Sequence, residues 1–348
     1  MAIFQAVRIL IMFALSFAAA LFLTPIAIHF LERQRMRKKN IRDEKTAPVF
    51  HSLHKKKSET ITMAGIIIWL TVLGLAAFFF IAGKLAGGFP SYFNFINRAE
   101  TYLPLAALFF SAMAGLADDL LGISGKGHKN SGFSVLQRLG LYSGIATLGA
   151  LWFYFKLGWD VLYIPFLGYY SLGPWYILIF IFILVATSFS ANETDGLDGL
   201  AGGVLFFAFG AMAIVAFTLG RYDLAVMNAS ILGALLAFLW FNIYPAKFFM
   251  GDTGSMSLGI TLGVMAMLTN TALFLPFFAV ILVLESVSVI IQVISKKFRR
   301  KKIFLSAPIH HHFEALGWHE SQVTMRFWII SAVSVIFGLV LYFVARFA

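Results

Sequence analysis

Long apolar runs separated by short polar stretches set the pattern of this chain. Ten runs stand out, at roughly 7–31, 61–82, 102–121, 135–156, 174–191, 200–219, 225–244, 253–269, 272–295 and 325–346. Each falls in the range of roughly 17–25 residues that a helix needs to cross a bilayer. The pattern predicts an all-α polytopic membrane protein of about ten transmembrane helices. Ten spans consume on the order of 200 residues and leave only loops besides. Residues 1–348 are therefore expected to form a single integral-membrane domain. No internal repeat is visible, which counts against an inverted-repeat transporter. Ala18-Ala19-Ala20 faintly resembles a signal cleavage site, but the first run starts almost at Met1 and ends in a dense basic segment. It reads as a first span with its N-terminus outside.

Composition agrees with the pattern. The chain is 60% hydrophobic and only 12% charged, against roughly 25% charged in soluble domains. With no cysteine, disulfides, cysteine–zinc sites and thiol nucleophiles are excluded.

The net charge of +11 acquires meaning from its placement. Of the 27 Lys and Arg residues, 21 lie in or beside the odd-numbered loops, with dense runs at Arg33–Lys57 and Lys296–Lys302. The positive-inside rule places those loops in the cytoplasm and both termini on the periplasmic or extracellular side. Topogenic charge and attraction to anionic membrane lipid explain the basic runs, and no nucleic-acid partner is implied.

The candidate chemistry gathers on that same face. Asp118 and Asp119 close the third run, Asp195 and Asp198 sit in the fifth loop, and Asp252 lies in the seventh. His310, His311 and His312 fall in the ninth loop, and only Glu285 lies deep within a run. Ionised groups beside a bilayer are costly and usually functional. The stretch Asn192–Gly203 (NETDGLDGLAGG) sets two aspartates among four glycines, which let the backbone come close to a ligand. Adjacent carboxylates at a helix C-terminus are locally unfavourable, so Asp118 and Asp119 call for a positive partner, and Mg²⁺ or a lysine would suffice. In Phe249–Ser255 (FMGDTGS), Asp252 can cap the eighth span while Gly251 and Gly254 leave backbone N–H groups free for phosphate. Hard carboxylate oxygens suit Mg²⁺, which takes its remaining ligands from water and substrate phosphates. Together these features point to phosphoryl transfer at a membrane surface. The three histidines do not read as a zinc site, because adjacent side chains diverge and no His-Glu-x-x-His pattern is present. Hydrogen bonding to an anionic or sugar substrate suits them better. Glu285 is open between a buried helix–helix contact and a catalytic group.

At these residues the chain resembles the polyprenyl-phosphate N-acetylhexosamine-1-phosphate transferases. The matching stretches are Ala117–Asp119, Asn192–Ala201, Phe249–Ser255 and Ala307–Glu314. The last of these, continued by Gly317-Trp318 and Arg326–Ile329, is similar to the muramoyl-pentapeptide branch of that family. The resemblance implies ten spans with both termini outside, in the bacterial plasma (inner) membrane, and a catalytic face in the cytoplasm. It implies attack of undecaprenyl phosphate on the β-phosphate of UDP-MurNAc-pentapeptide with Mg²⁺, releasing UMP and forming lipid I in cell-wall synthesis. By the same resemblance Asp252 holds the metal, and Asp118 and Asp119 keep the lipid phosphate deprotonated or help place the ion. Asn192, Gly196, Leu197, Asp198 and Phe249 would form the uridine pocket, with Asp195 near the catalytic centre. His310, His311 and His312 would hold the nucleotide sugar, Lys57 would lie near the diphosphate, and a homodimer is the expected assembly.

The chain departs from the family's usual pattern at Gly122, where a lysine is common, and at Thr60–Gly65, which lacks a proline and one glycine. Arg138 stands for a usual lysine, and Glu193 for an apolar residue. None of these removes a proposed metal ligand, so an active enzyme is expected. The nearest rival is a sister transferase moving GlcNAc-1-phosphate onto the same lipid, against which the ninth-loop histidines argue. A transporter would place ionisable groups along a transmembrane path, and a purely structural protein would leave the glycine–aspartate loops without a purpose.

Overall fold

The computed structural model describes residues 2–37, 60–96, 100–125 and 132–347. Helices occupy all ten apolar runs. In chain order they are α1 (Ala2–Arg33), α2 (Ile66–Ala86), the short α3 (Gly88–Phe93), α4 (Tyr102–Ser124) and α5 (Val135–Leu151). A β-hairpin follows, β1 (Val161–Ile164) pairing antiparallel with β2 (Gly168–Ser171). Then come α6 (Trp175–Thr194), α7 (Leu200–Thr218), α8 (Tyr222–Asn242), α9 (Asp252–Leu268), the one-turn α10 (Leu275–Phe278), α11 (Val280–Arg299), the short α12 (Ile309–Ala315) and α13 (Glu320–Phe347).

Seven of these helices are long and apolar enough to cross a membrane by themselves. An eighth span is broken: Ala272–Phe278 and Val280–Arg299 meet at 91°. The other two are 17 residues each, about 26 Å at 1.5 Å per residue. For α5 a π-helical turn at Trp152–Lys156 adds length. For α9 the short length carries no penalty, because every residue from Asp252 to Leu268 is buried among other helices.

That central helix organises the packing. Without a hydrophobic force between helices in lipid, close approach of backbones is what holds them together, and small residues permit it. A methyl group at Gly259 of α9 would stand 2.7 Å from Ser188 Cα of α6, and one at Gly115 of α4 would stand 2.7 Å from Thr253 Cα of α9. Elsewhere α1 lies along α8, where Ser16 Oγ donates to Ser230 O at 2.5 Å. The extended stretch before α2 pairs with the approach to α9: Phe249 N donates to Ile61 O at 2.8 Å and Gly65 N to Met250 O at 2.8 Å. The second run thus becomes helical only at Ile66, and its first residues form a wall of the α9 entry.

Both termini lie at the end of the bundle that carries the hairpin. Tyr92 Oη donates to Phe4 O at 2.5 Å, and Tyr163 Oη of β1 donates to Ala345 O. The glycine–aspartate loops lie at the opposite end.

Candidate phosphoryl-transfer site

The N-terminus of α9 is the pivot of this end. Gly251, in the left-handed region with φ 73°, turns the chain so that the first amides of α9 point out of the helix. Asp119 of α4 receives two of them, accepting from Asp252 N at 3.1 Å and from Thr253 N at 2.9 Å. A carboxylate there satisfies orphan donors and complements the positive helix end. Asp195, at the C-terminus of α6, accepts from Gly251 N at 3.0 Å. Two segments, α4 and α6, are therefore fastened to one turn of backbone.

Asp118 and Asp252 face each other across Arg138. The Nη2 of Arg138 is 2.7 Å from Asp118 Oδ2 and 2.8 Å from Asp252 Oδ2, while its Nη1 donates to Asn192 Oδ1 at 3.2 Å. Asn192 Nδ2 donates in turn to Asp252 Oδ1 at 2.7 Å and to Ser255 Oγ at 3.2 Å. The second oxygen of Asp118 accepts from Phe133 N. Asp118 is 1% exposed, a position tolerable for a carboxylate only because an opposite charge touches it.

The positive partner that the sequence demands for the aspartate pair is thus two different things. Arg138 serves Asp118, and the amino end of α9 serves Asp119. The pair also sits one turn before the end of its helix, since α4 runs on to Ser124 instead of closing at the aspartates.

Asp198 turns away from this cluster. Its Oδ2 accepts from Ala246 N at 3.0 Å, its backbone N donates to Glu320 Oε1 at 2.6 Å, and its carbonyl accepts from Thr324 Oγ1 at 3.1 Å. Trp328 Nε1 holds Gly199 O at 3.1 Å. Glu320, Thr324 and Trp328, four residues apart on one face of α13, brace the turn that starts α7. Leu197 is buried beside them, and Phe249 is half-buried. Lys57 lies outside the described residues, as do Lys126 and Lys129.

The three histidines have separate partners. His310 Nδ1 lies 3.0 Å from Glu285 Oε2, His311 Nδ1 is 2.7 Å from Glu314 Oε2, and His312 Nδ1 accepts from Leu305 N at 3.2 Å. Each ring has a separate side-chain or backbone partner. Burial most strongly disfavours a charged His310 ring, but the carboxylates of Glu285, Glu314 and Glu193 together outweigh it and raise the His310 pKa above the ordinary histidine value.

Among the described residues no group of three or more Asp, Glu and His side chains is arranged to hold a metal ion unaided. Two hard carboxylates, Asp118 and Asp252, meet at one point. That donor set fits Mg²⁺, which binds through one or two carboxylates and fills its shell from waters and phosphates.

The structure therefore brings together Asp118, Asp119, Asp195, Asp252 and Asn192, sets Gly196 and His310 beside them, and gives Asp198 a scaffolding position. Sequence reasoning left Arg138, Ser255, Glu320 and Asn242 without a place in the site. For Arg138 a signal existed, as a lone cation in the first turn of an apolar run. Glu320 and Asn242 gave none, because their partners are backbone groups of distant loops: Asn242 Oδ1 accepts from Gly199 N at 3.1 Å.

Comparison with known proteins bears on this geometry. Residues 101–270 match the family model described as Glycosyl transferase family 4, a stretch from the start of α4 to just beyond α9 that contains all four clustered aspartates. Over 335 residues the chain is 37% identical to the phospho-N-acetylmuramoyl-pentapeptide-transferase of Geobacillus kaustophilus (strain HTA426), covering 95% of this chain and 97% of that protein. It is 36% identical to the protein of the same name from Anoxybacillus flavithermus (strain DSM 21510 / WK1), covering 93% and 95%. A third, from Chloroflexus aggregans (strain MD-66 / DSM 9485), is 34% identical over 92% of this chain and 87% of its own length.

Proposed function

The chain belongs to the phospho-N-acetylmuramoyl-pentapeptide-transferase family, and on that premise we propose that it transfers phospho-MurNAc-pentapeptide from UDP-MurNAc-pentapeptide to undecaprenyl phosphate. The products are lipid I and UMP, in peptidoglycan synthesis. It is a multi-pass membrane enzyme that takes a nucleotide sugar and a lipid carrier.

One observation carries the chemistry: carboxylates of α4 and α9 share the Arg138 guanidinium, with Asn192 of α6 completing the cluster. An oxygen of the lipid phosphate attacks the β-phosphorus of the nucleotide sugar. A new P–O bond forms, the bond to the bridging oxygen breaks, and UMP leaves with that oxygen and its electron pair. Such a displacement needs positioning and neutralisation of charge more than covalent help. Asp252 and Asp118 are the residues that would hold Mg²⁺, which when bound would neutralise charge on the diphosphate oxygens. Arg138 supplies a fixed positive charge at the same point. Asp119 and Asp195 act from behind, holding the amino end of α9 in place through Gly251, Asp252 and Thr253.

Asn192, Gly196, Leu197, Asp198 and Phe249 are proposed to line the uridine pocket. Asp198 would contribute there by shaping the loop, since its carboxylate already accepts from Ala246 N. His310 borders the same loop at Gly196, and His310, His311 and His312 are proposed to hold the nucleotide sugar, with Lys57 near the diphosphate. The excess of basic residues on the odd loops supports a cytoplasmic catalytic face in a bacterial inner membrane. A homodimer is proposed as the working assembly, to be checked by the mass of the detergent-solubilised protein.

The test is turnover by the purified full chain. UMP should appear from UDP-MurNAc-pentapeptide only when undecaprenyl phosphate and Mg²⁺ are both supplied. Release from UDP-GlcNAc in place of the muramoyl substrate would assign the chain to the sister reaction, and release without the lipid would remove the acceptor.

A further inference from the structure

Glu285 is a carboxylate in the wrong place for a membrane span, and its surroundings show why it is kept. It sits on α11, just past the 91° break, with no exposed surface. Its neighbours Leu284 and Val287 face outward, while Glu285 turns inward. Among the described residues its ion-pair partner is His310, also without exposed surface, whose ring Nδ1 is 3.0 Å and whose backbone N is 3.4 Å from Glu285 Oε2.

The far edge of the same ring meets the nucleotide loop. A methyl group placed on Gly196 would lie 2.9 Å from His310 Cε1 and nearer still to Nε2. Gly196 is thus a glycine because the imidazole occupies the space a side chain would take. Neither ring nitrogen of His310 makes a hydrogen bond, and its Nδ1 meets Glu285 as an ion pair. The next ring, His311, lies with its centroid 4.0 Å from that of His310. One imidazole therefore touches the carboxylate of the broken span, the Gly196 turn and the second histidine.

We propose that Glu285 is a positioning residue for the nucleotide sugar: it fixes the ring of His310, and His310 sets the spacing between the Asn192–Gly199 loop and the histidine segment. Glu285 contacts neither Asp118 nor Asp252, so it acts on nucleotide-sugar binding and not on the lipid acceptor. A buried ion pair is little screened by water, so the 3.0 Å contact between the Glu285 carboxylate and His310 Nδ1 holds the ring against the Gly196 turn. This assignment rests on the transfer reaction proposed above.

The experiment is steady-state kinetics of the full chain with Glu285→Gln, Glu285→Asp and His310→Gln. Glu285→Gln is expected to raise KM for UDP-MurNAc-pentapeptide about 10-fold or more, with kcat and the KM for undecaprenyl phosphate changed less than about 3-fold. Glu285→Asp, which keeps the charge, should recover most of that loss. Adding Glu285→Gln to His310→Gln should cost little beyond His310→Gln alone, because residues acting through one another are not additive. Unchanged kinetics in Glu285→Gln overturns the proposal. So does a parallel fall of kcat and both KM-dependent rates together with the melting temperature, which would make the pair mere packing. If the unsubstituted chain turns over neither nucleotide sugar, the transfer reaction itself is what has failed.

Discussion

Both ends of the bundle set buried or half-buried arginine beside polar groups, and they use it differently. At the hairpin end Arg8 meets one acid, Asp223, at 2.8 Å and one carbonyl, Asn94 O, at 2.9 Å. Arg221 donates to Leu268 O at 2.5 Å and stands over the ring of Trp159, while Arg346 stands over Tyr163 and Tyr169. Those cations are met singly or laid on aromatic faces, an arrangement that ties helices together. At the site end a single guanidinium is shared by two carboxylates from helices far apart in the chain. Negative charge is in local excess there, on hard oxygens, which is what metal–phosphate chemistry requires.

Glycine follows the same division. Gly158 and Gly220, near the hairpin, have φ of 63° and 71° and open space around them, so they serve turns. Gly115 and Gly196 crowd against Thr253 and His310 and serve close approach. Charged residues and glycines therefore do not mark a site by their presence. What marks it is shared charge and backbone thinned for contact.

The largest effect should come from breaking the shared charge. Asp252→Asn and Asp118→Asn are each expected to lower UMP release by about 10³-fold, the scale of losing a preorganised electrostatic contact in an active site. Turnover within tenfold of the parent would remove these two residues from the chemistry. Next comes a paired test of the glycines. Gly115→Ala pushes a methyl into the start of α9 and should cost about 1–3 kcal/mol of stability from overpacking, and turnover should fall with it. Gly158→Ala should cost about 1–2 kcal/mol through its left-handed backbone, yet leave turnover unaltered. Melting curves read beside UMP release separate the two, and equal losses of activity would erase the contrast between the ends.

A smaller effect is expected at the hairpin end itself. Arg8→Ala should cost about 1–3 kcal/mol through its charged hydrogen bonds, with UMP release per folded molecule unchanged. The smallest prediction concerns pH. The His310 pKa is raised by Glu285, with Glu314 and Glu193 adding to it, against the opposing effect of burial. The stability this contributes is fully present below the unfolded histidine value of 6.5 and is lost as pH rises through the higher folded value. Melting temperature should therefore decline across that window, and Glu285→Gln should flatten the decline. A profile equally steep in the variant would detach the titration from this pair.

Much of this molecule was legible before any fold was known. All ten apolar runs became helices because a long apolar stretch has few other ways to satisfy its backbone. The acids of three separate segments and the histidines of a fourth met at one end because alternating spans leave them no choice. Other features were not legible. The hairpin at Val161–Ser171 is short and lies between two spans, and α3 and α12 are single short helices in loops. Asp198 looked equivalent to Asp195 on the page, three residues away, yet one faces Ala246 and the other Gly251. That difference is set by Glu320, Asn242 and Thr324, whose approach depends on tertiary packing and leaves no local pattern. Arg138 was visible as a charge, but its two carboxylate partners are distant in sequence.

The most direct test of a one-ended site is turnover in sealed proteoliposomes of known sidedness. With an N-terminal tag reporting which face the termini occupy, UDP-MurNAc-pentapeptide would be supplied to one face at a time. Turnover is expected only when the nucleotide sugar is on the face opposite the tag. Turnover from the tagged face would place the chemistry at the hairpin end and contradict the reading of Asp118, Asp252 and Arg138 as its centre.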